Sequence, residues 1–148
     1  KIQDDSMLIP GTNGGKMSKS ANNIINIFLD DKSLRKQVMS IETDSTPLED
    51  PKNPDTCNAF AIYSLLANDE QIAAMKANYL GGNYGYGHAK QALFELICEK
   101  FKTERKQYSY YMNNLTEVDA LLKIGAQKAS VVANGVLARV REKLGFEV

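Results

Sequence analysis

Residues 7–20 read MLIPGTNGGKMSKS, and both the fold and the chemistry of the chain turn on this stretch. Met7-Leu8-Ile9 is a short apolar run that stops at Pro10-Gly11, the pattern of a strand ending in a turn. Nothing later in the chain has strand character. Glycines at 11, 14 and 15 then let the backbone turn tightly and approach a ligand, while Lys16 and Lys19 supply point charges suited to phosphate oxygens. A strand-to-loop exit is where open α/β sheets hold nucleotides, so an ATP phosphate site is the first expectation. A Walker A loop does not fit. That motif needs four residues between its glycines and a hydroxyl after the lysine, whereas Gly11 and Gly15 enclose three and Met17 follows Lys16.

Downstream the sequence turns helical. Asp30 or Asp31 can cap a helix with Leu34, Val38 and Ile41 on one stripe, ending before Thr43. Residues 43–55, TDSTPLEDPKNPD, hold three of the four prolines and read as a connector. Thr56 is placed to cap a second helix, broadly apolar through Phe60, Ile62, Tyr63, Leu65 and Leu66 and therefore central. Asn68-Asp69 starts a third, with Ile72, Met75 and Tyr79, closed by a left-handed glycine cap at Gly81-Gly82. A long helix opens near Tyr86 with Ala89, Leu93, Leu96, Ile97 and Phe101, and continues through the basic group Lys100, Lys102, Arg105 and Lys106. The last begins in a capping box at Thr116 and aligns Val118, Leu121, Leu122, Val132, Val136, Val140 and Leu144 as a core stripe. Gly125, Ala126 and Ala129 would admit a close helical neighbour, and Gly145 ends the helix.

Composition narrows the function classes. A chain of 148 residues with 43% apolar content has enough material for one real core. Eighteen basic residues against eighteen acidic ones exclude a DNA binder that works by net charge. Cys57 and Cys98 are far apart and have no histidine at ligand spacing, so neither a disulfide framework nor a metal site is expected, and a reduced, cytoplasmic setting fits. No apolar run is long enough for a membrane span, and the first residues are no signal peptide.

Lys16-Met17-Ser18-Lys19-Ser20 is a complete copy of KMSKS, the signature loop of class I aminoacyl-tRNA synthetases. An unconstrained pentapeptide match has a chance of roughly one in three million per starting position. The resemblance extends over residues 7–146 and is to the bacterial tryptophanyl branch of that family. It is carried by the approach MLIPGTNGG, by Thr43-Asp44-Ser45, by the Tyr84–Lys90 stretch YGYGHAK, and by Gly125–Ala129, GAQKA. Tyrosyl-tRNA synthetase is the nearest rival within the family. A helical RNA-binding module without catalysis is the alternative outside it.

The resemblance implies a mainly α chain. Residues 1–29 would be the end of a Rossmann-like nucleotide-binding domain with its KMSKS loop, and residues 30–148 a helical bundle that recognises the anticodon. The implied activity is formation of tryptophanyl-adenylate from tryptophan and ATP, then transfer to the tRNA for tryptophan, by a homodimeric cytoplasmic enzyme. Lys19, with Lys16 beside it, would meet the charge that builds on departing pyrophosphate. Met17 would lie near the adenine, Ser18 and Ser20 would shape the turn or bond phosphate, and the backbone of Met7 would help hold the base. Magnesium would accompany ATP with no protein ligand assigned. His88, the single histidine, stands in YGHAK and not in a HIGH-type motif, and Ala21 replaces a frequent acidic residue after KMSKS. Because the HIGH motif and the amino-acid pocket belong to sequence upstream of this loop, the chain is expected to be a C-terminal part that is inactive alone. His88 is expected to cap or to lie on the surface, with RNA contact as the alternative. Lys100, Lys102, Arg105 and Lys106 are RNA-binding candidates or a solvated face, and Tyr108, Tyr110 and Tyr111 either stack on unpaired bases or, the preferred reading, pack between the last two helices.

Overall fold

The computed structural model describes residues 8–146. Six α-helices and one 3-10 turn account for its regular structure: α1 (Asp31–Met39), the turn Pro54–Thr56, α2 (Asn58–Leu66), α3 (Asp69–Gly81), α4 (Tyr86–Lys100), α5 (Lys102–Asn113) and α6 (Leu115–Lys143). The mainly helical expectation holds. Among the described residues there is no strand, and the expected strand at 7–9 is reduced to an isolated antiparallel bridge between Pro10 and Lys16. Leu8 and Ile9 are about half exposed, so no sheet neighbour covers them in this chain. Met7 lies outside the described residues.

The chain forms two compact units that divide after Arg105. In the first, α4 packs against both α1 and α2, and α2 also meets α3. Its core joins Leu34 and Val38 of α1, Ile62 of α2, Tyr79 of α3, and Leu93 and Ile97 of α4. Local signals set the helix ends. Asp30, not Asp31, caps α1 by accepting from the Ser33 amide at 3.0 Å. Asn68 and Gln71 form a reciprocal capping box on α3, at 2.8 and 3.0 Å. His88 caps α4, its Nδ1 accepting from the Gly85 amide at 3.2 Å, so the capping expectation is the one realised.

Several expected boundaries move. Thr56 falls inside the 3-10 turn, and Cys57 takes the N-cap position of α2 without a side-chain bond. Gly82 has the positive φ foreseen (73°), but its ψ of 177° is extended and not left-handed helical. A Cβ there would meet the Glu49 carbonyl oxygen at 2.5 Å, so close approach of the connector demands glycine. The long helix expected from Tyr86 breaks at Phe101 (φ −105°, ψ 19°), whose side chain packs on the core. Thr116 does not cap α6, because the helix already starts at Leu115, and the neighbouring Glu117 carboxylate instead accepts from Tyr110 Oη at 2.7 Å.

The second unit overturns one expectation outright. The apolar stripe of α6 was expected as core, yet no α6 residue is buried and Val132 is 69% exposed. Among the described residues nothing lies within 4 Å of a Cβ placed on Gly125, so no helix makes the close approach there that a small residue would admit. Periodicity shows that a helix has an apolar face; it does not supply the surface that covers it. Tyr108, Tyr110 and Tyr111 are likewise more than 40% exposed, against the preferred packing reading. Gly145 does end α6, with φ 77° and the paired bonds of a Schellman motif from Gly145 N to Glu142 O and Phe146 N to Arg141 O.

The contrast can be measured in this chain. Leu93→Ala, at a fully buried site, should lower the unfolding free energy by about 3 kcal/mol. Val132→Ala on α6 should change it by less than about 0.5 kcal/mol, and equal losses in denaturant titrations would contradict the exposure of that face.

Candidate functional site: a braced lysine loop

The loop that carries Lys16 and Lys19 is a folded object and not a flexible string. Its first arm is a tight hairpin. The Gly11 amide donates to Gly15 O at 2.7 Å, the Gly14 amide to Gly11 O at 3.0 Å and the Met17 amide to Ile9 O at 2.9 Å, with Gly14 at φ 75°. Its second arm is a turn shaped by Ser18. Ser18 Oγ accepts from the Ala21 amide at 3.1 Å and lies 3.2 Å from Ser20 Oγ, while the Asn22 amide reaches Lys19 O at 3.1 Å. Both lysine side chains point out to solvent, exposed on either side of half-buried Met17 and Ser18.

Between the arms sits Asn23, only 2% exposed. Its Nδ2 donates to Asn13 Oδ1 at 2.7 Å and to Lys16 O at 3.0 Å, and its Oδ1 accepts from the Ser18 amide at 2.8 Å. Its own carbonyl accepts from Thr12 N at 2.9 Å. Gly11 lies so near that a Cβ there would fall 2.3 Å from the Asn23 side chain. The loop is also fastened to the helices of its unit. The Glu42 amide donates to Thr12 O at 2.7 Å, Asn58 Nδ2 donates to Glu42 O at 3.1 Å, and a Cβ on Gly14 would stand 2.5 Å from Asn58 Oδ1. Sequence reasoning missed Asn13, Asn23, Glu42 and Asn58, since polar residues in and around a loop have no periodicity and their partners depend on how the loop folds. The one available cue was the run of three asparagines around a glycine-rich turn, at 13, 22 and 23.

Under the loop, Ile9, Met17, Ile25, Ile62, Leu65 and Phe101 line most of an open apolar cavity of 410 Å³. The Met17 side chain thus faces the cavity. Among the four basic candidates, Lys100 Nζ donates to Leu66 O at 2.6 Å, capping the C-terminus of α2, and Arg105 binds the carbonyl of Ile27 and the carboxylate of Asp31. Lys102 borders a second, polar cavity, and Lys106 is exposed. Among the described residues no cluster of three or more His, Cys, Asp or Glu is placed to hold a metal ion, and no helix is long and apolar enough to cross a membrane.

Two of the sequence elements that carried the resemblance meet in space. Asp44 of Thr43-Asp44-Ser45 accepts from Tyr86 Oη at 2.6 Å, and also from the Thr46 amide at 2.9 Å. Lys52, 2% exposed, stands 5.5 Å from the centre of the Tyr86 ring. Its ammonium donates to the carbonyls of Pro47 at 2.8 Å, Asp50 at 3.0 Å and Leu48 at 3.3 Å. Three carbonyls satisfy the three donors of a buried charge, which is what makes its burial tolerable. The same ammonium thereby fixes the connector 47–50.

The chain matches the family described as tRNA synthetases class I (W and Y) over residues 2–102, and it belongs to that family. Its relatives point to one branch. It is 46% identical over 145 residues to the tryptophan-tRNA ligase of Fusobacterium nucleatum, covering 98% of this chain and 44% of that protein. It is 40% identical over 146 residues to the tryptophan-tRNA ligase of Rhodopirellula baltica, covering 99% of this chain and 46% of that protein. The crystal structure of tryptophanyl-tRNA synthetase from Campylobacter jejuni, complexed with ADP and tryptophan, superposes with a TM-score of 0.93 at 38% identity, over 99% of this chain and 46% of that one. The chain therefore spans less than half the length of these relatives.

The Tyr86–Asp44 pair has a pH signature. Burial first, and then the bond to Asp44, push the Tyr86 hydroxyl up to about 12. Its folded value lies above the ordinary one near 10, so its contribution to stability is complete below about pH 10 and is lost as pH rises towards 12. The Asp44 carboxyl is held below its usual range, by Thr46 first and Tyr86 second, so its contribution is instead lost on acidification. Tyr86→Phe should remove one phenol whose absorbance titrates near pH 12. A wild-type-minus-variant difference titration centred near pH 10 would contradict the pairing.

Proposed function

We propose that this chain is the KMSKS-bearing helical part of a synthetase that joins tryptophan to its tRNA. The whole enzyme would activate tryptophan with ATP, releasing pyrophosphate, and then pass the activated residue to the 3′ end of the tRNA. Membership of a family that handles tryptophan and tyrosine narrows the chemistry, and the tryptophan-tRNA ligases among its relatives favour tryptophan over tyrosine. The observation that carries the reading is the intact Lys16–Ser20 loop, with both ammonium groups outside and a hydrogen-bonded frame within.

In this reading Lys19 leads and Lys16 supports. As the carboxylate of tryptophan attacks the α-phosphorus, negative charge gathers on the leaving pyrophosphate, and an ammonium that reaches those oxygens mainly at that stage lowers the barrier. Met17 would contribute backbone contacts beside the adenine, and Ser18 and Ser20, already bonded within the turn, would set its shape. Met7 would add a backbone contact to the base. Magnesium would come with ATP, because the loop presents ammonium groups and no carboxylate to a metal ion. Lys102 and Lys106 are the basic candidates best placed to meet RNA; Lys100 and Arg105 already serve protein partners. Residues 1–29 would serve the nucleotide and residues 30–148 the anticodon, in a cytoplasmic homodimer whose tryptophan pocket lies in the other part of the enzyme.

Exchange of labelled pyrophosphate into ATP tests this. In the full-length protein, Lys19→Ala should lower the exchange rate by about 10²–10³-fold, as for loss of one transition-state donor. The 148-residue chain alone should show no exchange, and a rate from it that Lys19→Ala abolishes would refute the division of labour.

A further inference from the structure

We infer that Asn23 is the positioning residue of the lysine loop: its buried amide ties the backbone at Lys16 to the backbone at Ser18, so that Lys16 and Lys19 travel as one rigid unit. This rests on the reading of the loop as the one that brings Lys16 and Lys19 to phosphate. Asn23 is a polar side chain at 2% exposure whose amide oxygen and nitrogen are both engaged. The orientation of its amide is set by its partners, since a backbone N–H only donates and a backbone carbonyl only accepts. The oxygen must therefore face Ser18 N, and the nitrogen must face Lys16 O.

The consequence is mechanical. Lys16 and Lys19 are separated by Met17 and Ser18, and without a brace the two arms of the loop, each ordered by its own bonds, would move independently. With the brace, the carbonyl of Lys16 and the amide of Ser18 are held on one side chain, and Thr12 is added through the Asn23 carbonyl. A loop already ordered has less conformational freedom to lose when it meets a ligand, and it sets out both lysine side chains from one fixed stretch of backbone. Glu42, bonded to Thr12, and the apolar residues that share a cavity with Met17 would have to yield or follow if the unit moved against its helices.

Asn13 supplies a control of matched charge. It acts through its oxygen alone, accepting from Asn23 Nδ2 and from the Gly15 amide at 3.1 Å. Asp in its place keeps both bonds. Asp in place of Asn23 sets a carboxylate oxygen against the Lys16 carbonyl and Asn13 Oδ1. Asn13 is exposed and Asn23 is buried, so the charge at 23 adds its own burial to the reversed hydrogen bonds, and Asn23→Ala, which adds no charge, separates the two effects.

In the full-length protein, Asn23→Asp and Asn23→Ala should each lower kcat for ATP–pyrophosphate exchange by about a hundredfold, the scale of an ångström of misplacement. KM for tryptophan should stay near wild type, and the melting temperature of Asn23→Ala should fall by no more than about 10 °C, the scale of losing one buried hydrogen-bonded side chain. Asn13→Asp should lose only about fivefold, from charge near the phosphates. Hydrogen exchange of the Ser18 amide, which reads the brace without any activity, should quicken at least about tenfold in Asn23→Ala. Wild-type kcat in Asn23→Ala, equal losses in Asn13→Asp and Asn23→Asp, or unchanged Ser18 protection would each overturn the proposal. So would a loss of kcat in Asn23→Ala accompanied by a parallel rise in the tryptophan KM, which marks general disruption of the site. Wild-type exchange in Lys19→Ala would instead overturn the phosphate reading, with Ser18 protection still reporting on Asn23.

Discussion

Helix α4 buries Ala89, Leu93 and Ile97 along one face, and α1 and α2 both close on it. Leu93 and Ile97 each contribute on the order of 2 kcal/mol by leaving water, and the packing places the end of α1 beside the start of α2. Those two points are where the lysine loop is fastened. Glu42 follows α1 and Asn58 opens α2, and through them Thr12 and Gly14 are held. The apolar core thus places a polar loop that shares none of its residues.

Three lysines show how far surroundings decide the use of one side chain. Lys52 is sunk in the connector with three carbonyl partners, where its charge organises backbone. Lys16 and Lys19 stand on a frame that is satisfied without them, so their charge is left for something outside. The frame is built from small polar residues that pair with one another. In the proposed role this separation of labour matters, because an ammonium engaged in holding its own loop would have to be released before it reached a phosphate.

The second unit carries the opposite imbalance. Its apolar residues are arranged well along α6, and in this chain they face solvent. Burial, not periodicity, is what stabilises such a helix in a folded protein. Its C-terminal end is nonetheless well specified, by Gly145 in its left-handed conformation.

Much of this was legible in the letters because it is local. Asp30, Asn68 and Gly145 act on groups a few residues away, the stripe Leu34-Val38 repeats at the helical period, and KMSKS is contiguous. Sequence by itself therefore determined the helical class, most of the helix ends and the identity of the lysine loop. Tertiary structure alone decided that Phe101 breaks the long helix, that the α6 stripe is uncovered, that Asp44 meets Tyr86 across 42 residues, and that Asn23 fills the loop. The reason is common to all four. A hydrogen bond or an apolar contact between distant residues depends on where the backbone has been carried by everything between them, and no spacing within a helix or turn encodes that position.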